Sequence, residues 1–130
     1  PAMRARPVEP VGFDDVTRSL AAGEIQRNAQ LAGSICDAII TPQPGNLTFP
    51  IMNRLCGAGI TVTDEDCLRA MAVAFARLKI VLEPGGAIAL AAALYHGDKI
   101  EGEDVIAVAS GGNVDAEVFQ RALSQYGKDT

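Results

Sequence analysis

The 130-residue chain has no tryptophan, only two tyrosines and four phenylalanines, and one histidine. So few rings argue against recognition by stacking onto bases or sugars. A basic surplus is missing too: 11 Lys and Arg face 16 Asp and Glu, for a net charge of −5. Nucleic acids and anionic membrane surfaces need a basic patch, so neither is an expected partner. Long apolar runs are absent. The longest, Ala87 to Tyr95, is about half of what a spanning helix requires. The first residues carry no charged-then-apolar leader pattern. The three cysteines, Cys36, Cys56 and Cys67, are far apart, odd in number and not in metal-binding spacing. They read as reduced packing thiols, so a cytoplasmic location is expected.

What the chain does have is apolar content, 48%, enough for one compact domain and too much for wholesale disorder. It opens Pro1-Ala2-Met3 and reaches Pro7-Val8-Glu9-Pro10 almost at once. Residues 1–7 read as a vector-derived remnant or a truncated start, and residues 8–130 as the folded portion.

The expected elements follow from periodicity and breakers. Arg6 to Glu9 is a short strand stopped by Pro10. Phe13 to Ala22 is a helix with Asp14 and Asp15 at its start and Gly23 after its end. Ser34 to Thr41 fits helix or strand. Asn46 to Leu55 is a helix with Asn46 as its cap. Ile60 to Thr63 is a β-branched strand. Thr63 caps the clearest helix, in which Leu68, Met71, Ala72, Phe75, Leu78 and Leu82 share one face up to Glu83-Pro84. Gly86 to Tyr95 is a helix apolar nearly all round and ended by His96-Gly97. Asp104 to Ala109 is a short apolar strand of the parallel kind, followed by a Ser-Gly-Gly-Asn turn and a helix from about Asp115 to Tyr126. The pattern is α/β: an incomplete open, mostly parallel sheet flanked by helices.

Three stretches could carry chemistry. Ser110-Gly111-Gly112-Asn113 lies where an open α/β sheet binds ligands, at the carboxyl end of an expected strand. It reads equally well as a plain tight turn. Glu83-Pro84-Gly85-Gly86-Ala87 is a pocket edge or, more simply, a helix break. Glu9, Asp14 and Asp15 place three carboxylates within seven residues, which suits a hard cation such as magnesium or calcium, or merely a helix start. His96 and Lys79 read as structural, at a helix end and on an exposed face.

The run Leu78-Lys79-Ile80-Val81-Leu82-Glu83-Pro84-Gly85-Gly86-Ala87, with Ala107-Val108-Ala109-Ser110-Gly111-Gly112-Asn113-Val114-Asp115, resembles the C-terminal part of the threonine/serine dehydratase catalytic domain. These are pyridoxal-phosphate enzymes of the tryptophan-synthase-β-like fold (fold type II). Val8-Glu9-Pro10, Asp14-Asp15, Ser34 to Pro50 and Val62 to Glu65 fit the same family in the same order. The resemblance implies elimination of the β-hydroxyl of a hydroxy amino acid, giving a keto acid and ammonia.

It also implies that Ser110 bonds the pyridine nitrogen of the cofactor, that Gly111, Gly112 and Asn113 pass beside the ring, and that Glu83 lines the pocket. Glu9, Asp15 and the carbonyl of Phe13 match a divalent-cation site of some members. The family's Schiff-base lysine sits in a Ser-x-Lys motif that is absent here, where the lysines are Lys79, Lys99 and Lys128. The glycine-rich phosphate loop is absent as well. No residue of this chain is therefore assigned as catalytic, and the chain by itself is expected to be inactive. A homo-oligomer and a small amino-acid substrate are the expected partners. The alternative is a non-catalytic α/β module that self-associates or complements an N-terminal partner.

Overall fold

The computed structural model describes residues 3–128 and 130; the reading of Pro1 and Ala2 lies outside them. Strand β1 (Val8–Pro10) pairs in parallel with β2 (Ile60–Val62), with Val8 opposite Ile60, Glu9 opposite Thr61 and Pro10 opposite Val62. Pro10, expected to stop β1, is its last residue; a strand end needs no donor there, and Val11 supplies the next bond, donating to the Val62 carbonyl at 2.9 Å.

Helix α1 (Asp15–Ala22) follows β1 and ends at Gly23, whose φ of 74° is the left-handed cap expected of glycine. Helix α2 spans Phe49–Leu55. It starts later than Asn46 suggested, because Thr48 takes the cap position and Pro50 fits the first turn. Helix α3 (Asp64–Val73) opens on a reciprocal capping box. Thr63 Oγ1 accepts from the Asp66 N–H at 3.1 Å and the Asp66 carboxylate accepts from the Thr63 N–H at 3.1 Å.

Helix α3 does not run on to Leu82. It widens into a π-helical turn over Ala74–Leu78 and stops at Lys79, whose φ is 60°. The extra residue per turn rotates the apolar stripe, so Phe75 and Leu78 are exposed rather than in the core. Lys79 is exposed as expected and donates from Nζ to the Ala76 carbonyl at 2.7 Å.

Helix α4 (Pro84–Tyr95) carries small residues, Gly85, Gly86, Ala87, Ala91 and Ala92, on buried positions, so α3 and β1–β2 approach it closely. The core lies here, around Ile60, Val62, Leu68, Met71 and Ile88. Each such aliphatic side chain, once buried, contributes about 2 kcal/mol. Helix α5 (Ala116–Tyr126) closes the far side of α3, with Phe119 edge-on to Phe75 at a centroid distance of 5.5 Å.

The strand expected over Asp104–Ala109 does not form. The segment has no regular structure, Val105, Ile106 and Val108 are exposed, and no described strand pairs with it. A strand is defined by its neighbour; an apolar β-branched run without one stays an open segment. Among the described residues, no helix is long and apolar enough to cross a membrane.

Candidate functional site

Glu83 stands immediately before Pro84, which forbids it the helical region; its φ and ψ are −77° and 163°. It therefore occupies the cap position of α4, and its carbonyl accepts from the Ala87 N–H at 2.9 Å. The same backbone turns its own N–H outward, to the Gly111 carbonyl at 3.0 Å. The two glycine-bearing stretches, well separated along the chain, thus meet.

Their fit leaves no room for side chains. A Cβ on Gly86 would overlap the Gly111 carbonyl oxygen and stand 2.8 Å from its nitrogen. On Gly111 it would stand 2.5 Å from Glu83 Oε1, and on Gly112 2.5 Å from the Val81 carbonyl oxygen. Gly86 and Gly112 are therefore needed where backbone lies on backbone, while Gly111 makes room for the Glu83 side chain. Ser110 and Asn113 flank this contact and are exposed. The result is a wall: the N-terminus of α4 behind it, a glutamate side chain along it, and a hydroxyl and an amide at its rim. Ser110 does not sit at a strand end, since that strand is missing; the bond from Glu83 holds the turn instead.

The carboxylate cluster is built differently. Glu9 is 9% exposed and lies under the first turn of α1. Its Oε1 accepts from the Val16 N–H at 2.9 Å, and Oε2 accepts from the Thr17 N–H and hydroxyl, each at 2.7 Å. Burial pushes its carboxyl above the ordinary range, against the pull of the Thr17 and Val16 donors, with the Asp15 charge adding to the rise. Asp15 is 1% exposed and accepts from the Asn28 amide at 2.7 Å and from the Thr41 hydroxyl at 3.4 Å. Asp14 pairs with Arg18 at 3.3 Å. Phe13 buries its ring. Among the described residues, no group of three or more His, Cys, Asp or Glu could hold a metal ion. The Glu9 and Asp15 oxygens accept bonds from α1 and its flanking loop, and the expected set of Glu9, Asp15 and the Phe13 carbonyl is not brought out as a metal centre by these contacts.

Other charged groups settle one another. His96 caps α4 as expected and also reaches the Asp66 carboxylate at 3.1 Å, a pairing across 30 positions that no local spacing announces. Burial alone would raise Asp66, but hydrogen bonds from Thr63 and His96 outweigh it and hold the carboxyl below its ordinary range. In a cleft of about 420 Å³ lined by Glu65, Asp66, Arg69, Tyr95, Tyr126 and Thr130, Glu65 takes Arg121 at 2.8 Å and the Tyr126 hydroxyl at 2.5 Å, and Arg69 stacks over the Tyr95 ring. The expectation that the cysteines pack holds for Cys36 and Cys67, both fully buried; Cys56 is half-buried.

A profile of the family described as "Pyridoxal-phosphate dependent enzyme" matches residues 1–111. Serine racemase from Dictyostelium discoideum is 38% identical over 127 residues, covering 95% of this chain and 39% of that protein. An L-threo-3-hydroxyaspartate ammonia-lyase from Pseudomonas sp. is 34% identical over 116 residues, covering 89% of this chain and 36% of that protein. Among solved structures, a threonine deaminase from T.th. superposes with a TM-score of 0.78 at 40% identity, over 83% of this chain and 39% of its own. The chain thus spans less than two-fifths of the length of these relatives.

Proposed function

Because the chain belongs to the pyridoxal-phosphate-dependent enzyme family, we propose that it supplies one wall of the pocket of an enzyme that eliminates the β-hydroxyl of serine, threonine or a related amino acid. The products are a keto acid and ammonia. The observation that carries this reading is the meeting of Glu83–Gly86 with Ser110–Gly112, held by the Glu83 N–H on the Gly111 carbonyl. What the turn leaves available to a flat aromatic cofactor is the exposed Ser110 hydroxyl and the exposed Asn113 amide, on a backbone held against the start of α4 by the Glu83–Gly111 bond.

Pyridoxal phosphate supplies the electron sink of such a reaction. Ser110 would hold the pyridine nitrogen through a neutral hydroxyl, which does not force ring protonation as a carboxylate would. Gly111, Gly112 and Asn113 would lie beside the ring, and Glu83 would line the substrate side. No step is assigned to a divalent cation.

The lysines of the chain are Lys79, Lys99 and Lys128, none of them in a Ser-x-Lys motif, and these 130 residues contain no glycine-rich phosphate loop. We therefore expect this chain alone to give neither turnover nor a lysine-specific adduct when incubated with pyridoxal phosphate, serine or threonine, and borohydride. An adduct at one lysine with keto acid release would overturn that part. Elimination and racemisation share the removal of the α-proton, and this wall serves either. The enzyme completed with the missing lysine and loop is expected to release keto acid and ammonia from serine or threonine; D-serine as sole product would sink the elimination reading.

One observation favours a second reading, a non-catalytic module that pairs with itself or with an N-terminal partner. Residues 105–108 leave Val105, Ile106 and Val108 exposed in a segment without a strand partner, an apolar β-branched run of the kind that recruits another strand. A monodisperse monomer in solution would count against self-pairing.

A further inference from the structure

Two cysteines 31 positions apart meet in the core. The Sγ atoms of Cys36 and Cys67 lie 3.6 Å apart, and both thiols are free and fully buried. Cys67 belongs to the start of α3. Cys36 belongs to the irregular segment ahead of a one-turn helix, Asp37–Ile39. Asp64 docks that segment on α3: its carboxylate accepts from the Ser34 hydroxyl at 2.5 Å and from the Ile35 N–H at 3.2 Å. Shortly beyond Cys36, Ile39 packs on the first turn of α4, where a Cβ on Gly85 would stand 3.2 Å from Ile39 Cγ2. The cysteine pair is thus one step removed from the wall that carries Glu83.

We propose that Cys36 and Cys67 form a redox modification site, oxidised by a peroxide to a disulfide that pins residues 34–40 to α3 and stiffens the Glu83–Gly86 wall behind them. The sulfurs must close by about 1.5 Å to reach a disulfide bond of roughly 2.05 Å. The irregular 34–36 segment can supply that movement, whereas α3 cannot. Hydrogen bonding from the Cys67 thiol draws the Cys36 thiol down, and the same contact with burial pushes Cys67 up, so Cys36 ionises first.

The chemistry balances. The Cys36 sulfur attacks one peroxide oxygen and the O–O bond breaks; the leaving oxygen takes the Cys36 proton and departs as water. Cys67 sulfur then attacks the oxidised Cys36 sulfur. The S–S bond forms, the S–O bond breaks, and the hydroxyl leaves as a second water with the Cys67 proton. Two thiols are oxidised and one hydrogen peroxide is reduced. Neither sulfur reaches solvent in the closed form, so the reaction passes through local opening of the 34–36 segment, which is slower than reaction of an exposed thiol.

The test uses the full chain with Cys56→Ser. It is treated with hydrogen peroxide while folded, then denatured with an alkylating reagent. Both remaining thiols should disappear together in a monomer lighter by two hydrogens, with Cys36 and Cys67 in one linked peptide, and dithiothreitol should restore them. Disulfide-linked dimers, oxygen additions on either sulfur, or thiols that persist while the urea-unfolded chain oxidises would each overturn the proposal. Hydrogen exchange is the second measurement. Amides of residues 34–40 and 85–88 should exchange about tenfold more slowly after oxidation. Unchanged rates at residues 85–88 would overturn the link to the wall while leaving the disulfide itself to the first assay.

Discussion

The carboxylate cluster at Glu9 and Asp15 and the glycine turn at Ser110–Asn113 both have the composition of binding sites, and they fold into opposites. The first is closed. Both Glu9 oxygens and both Asp15 oxygens accept bonds from α1, Asn28 or Thr41, and little of either residue meets solvent. The second is open. Gly111 and Gly112 are clasped backbone to backbone by Val81–Gly86, while Ser110 and Asn113 face outward. Concentrated charge is committed to holding a helix start, and the plainer hydroxyl and amide are left available. A ligand competes for what the protein has not already used.

The largest effect that sharpens this contrast is expected from Gly86→Ala. In an ordinary helix this change stabilises by up to about 1 kcal/mol. Here the new Cβ would overlap the Gly111 carbonyl, so the sign should invert, with a loss of about 3 kcal/mol in urea unfolding. Any gain in stability would show that the turn is not clasped against α4. Next comes Glu9→Ala, which leaves the Val16 and Thr17 N–H groups without their acceptor and should cost about 2 kcal/mol. Wild-type stability from Glu9→Ala would place the carboxylate outside the α1 cap.

A smaller effect separates Glu9 of the closed cluster from Asp66, paired with His96, by pH. Glu9 has a raised folded pKa, so the folded chain holds a proton there that the unfolded chain has lost; the Glu9 contribution is full below about 4.5 and declines as pH rises through the raised value. Asp66 has a lowered folded pKa, so its contribution is present above about 3.8 and is lost as pH falls through the depressed value. Stability curves of wild type and Asp66→Asn should therefore converge in acid and part as pH rises, while those of wild type and Glu9→Gln should show the reverse trend. Parallel curves would mean that neither group is perturbed.

What could be read in advance divides along the same physical line. Local chemistry was legible: the Thr63 cap of α3, the glycine cap at Gly23, the proline that fixes Glu83, and the α/β order of elements. Features that depend on a distant partner were not. The Asp104–Ala109 strand fails because no described strand pairs with it, although its composition is that of a strand. The π-helical turn at Ala74–Leu78 turns Phe75 and Leu78 outward without any glycine or proline to announce it. The contact that matters most for the site, Gly86 on Gly111, joins a Cα to a carbonyl, and backbone partners leave no side-chain signature beyond the glycines themselves.

The smallest expected effect is the one that defines the open site. Ser110→Ala and Asn113→Ala remove exposed groups beside a turn held by its backbone, so each should change folding stability by no more than about 0.5 kcal/mol. If the rim is left free for a ligand, these substitutions should leave the urea midpoint of this chain unmoved and yet weaken cofactor retention in the completed enzyme, seen as loss of cofactor absorbance on dialysis. A stability cost near that of Glu9→Ala would place Ser110 among the groups the fold uses for itself, and the distinction between the closed and the open region would then fail at the residue that matters most to it.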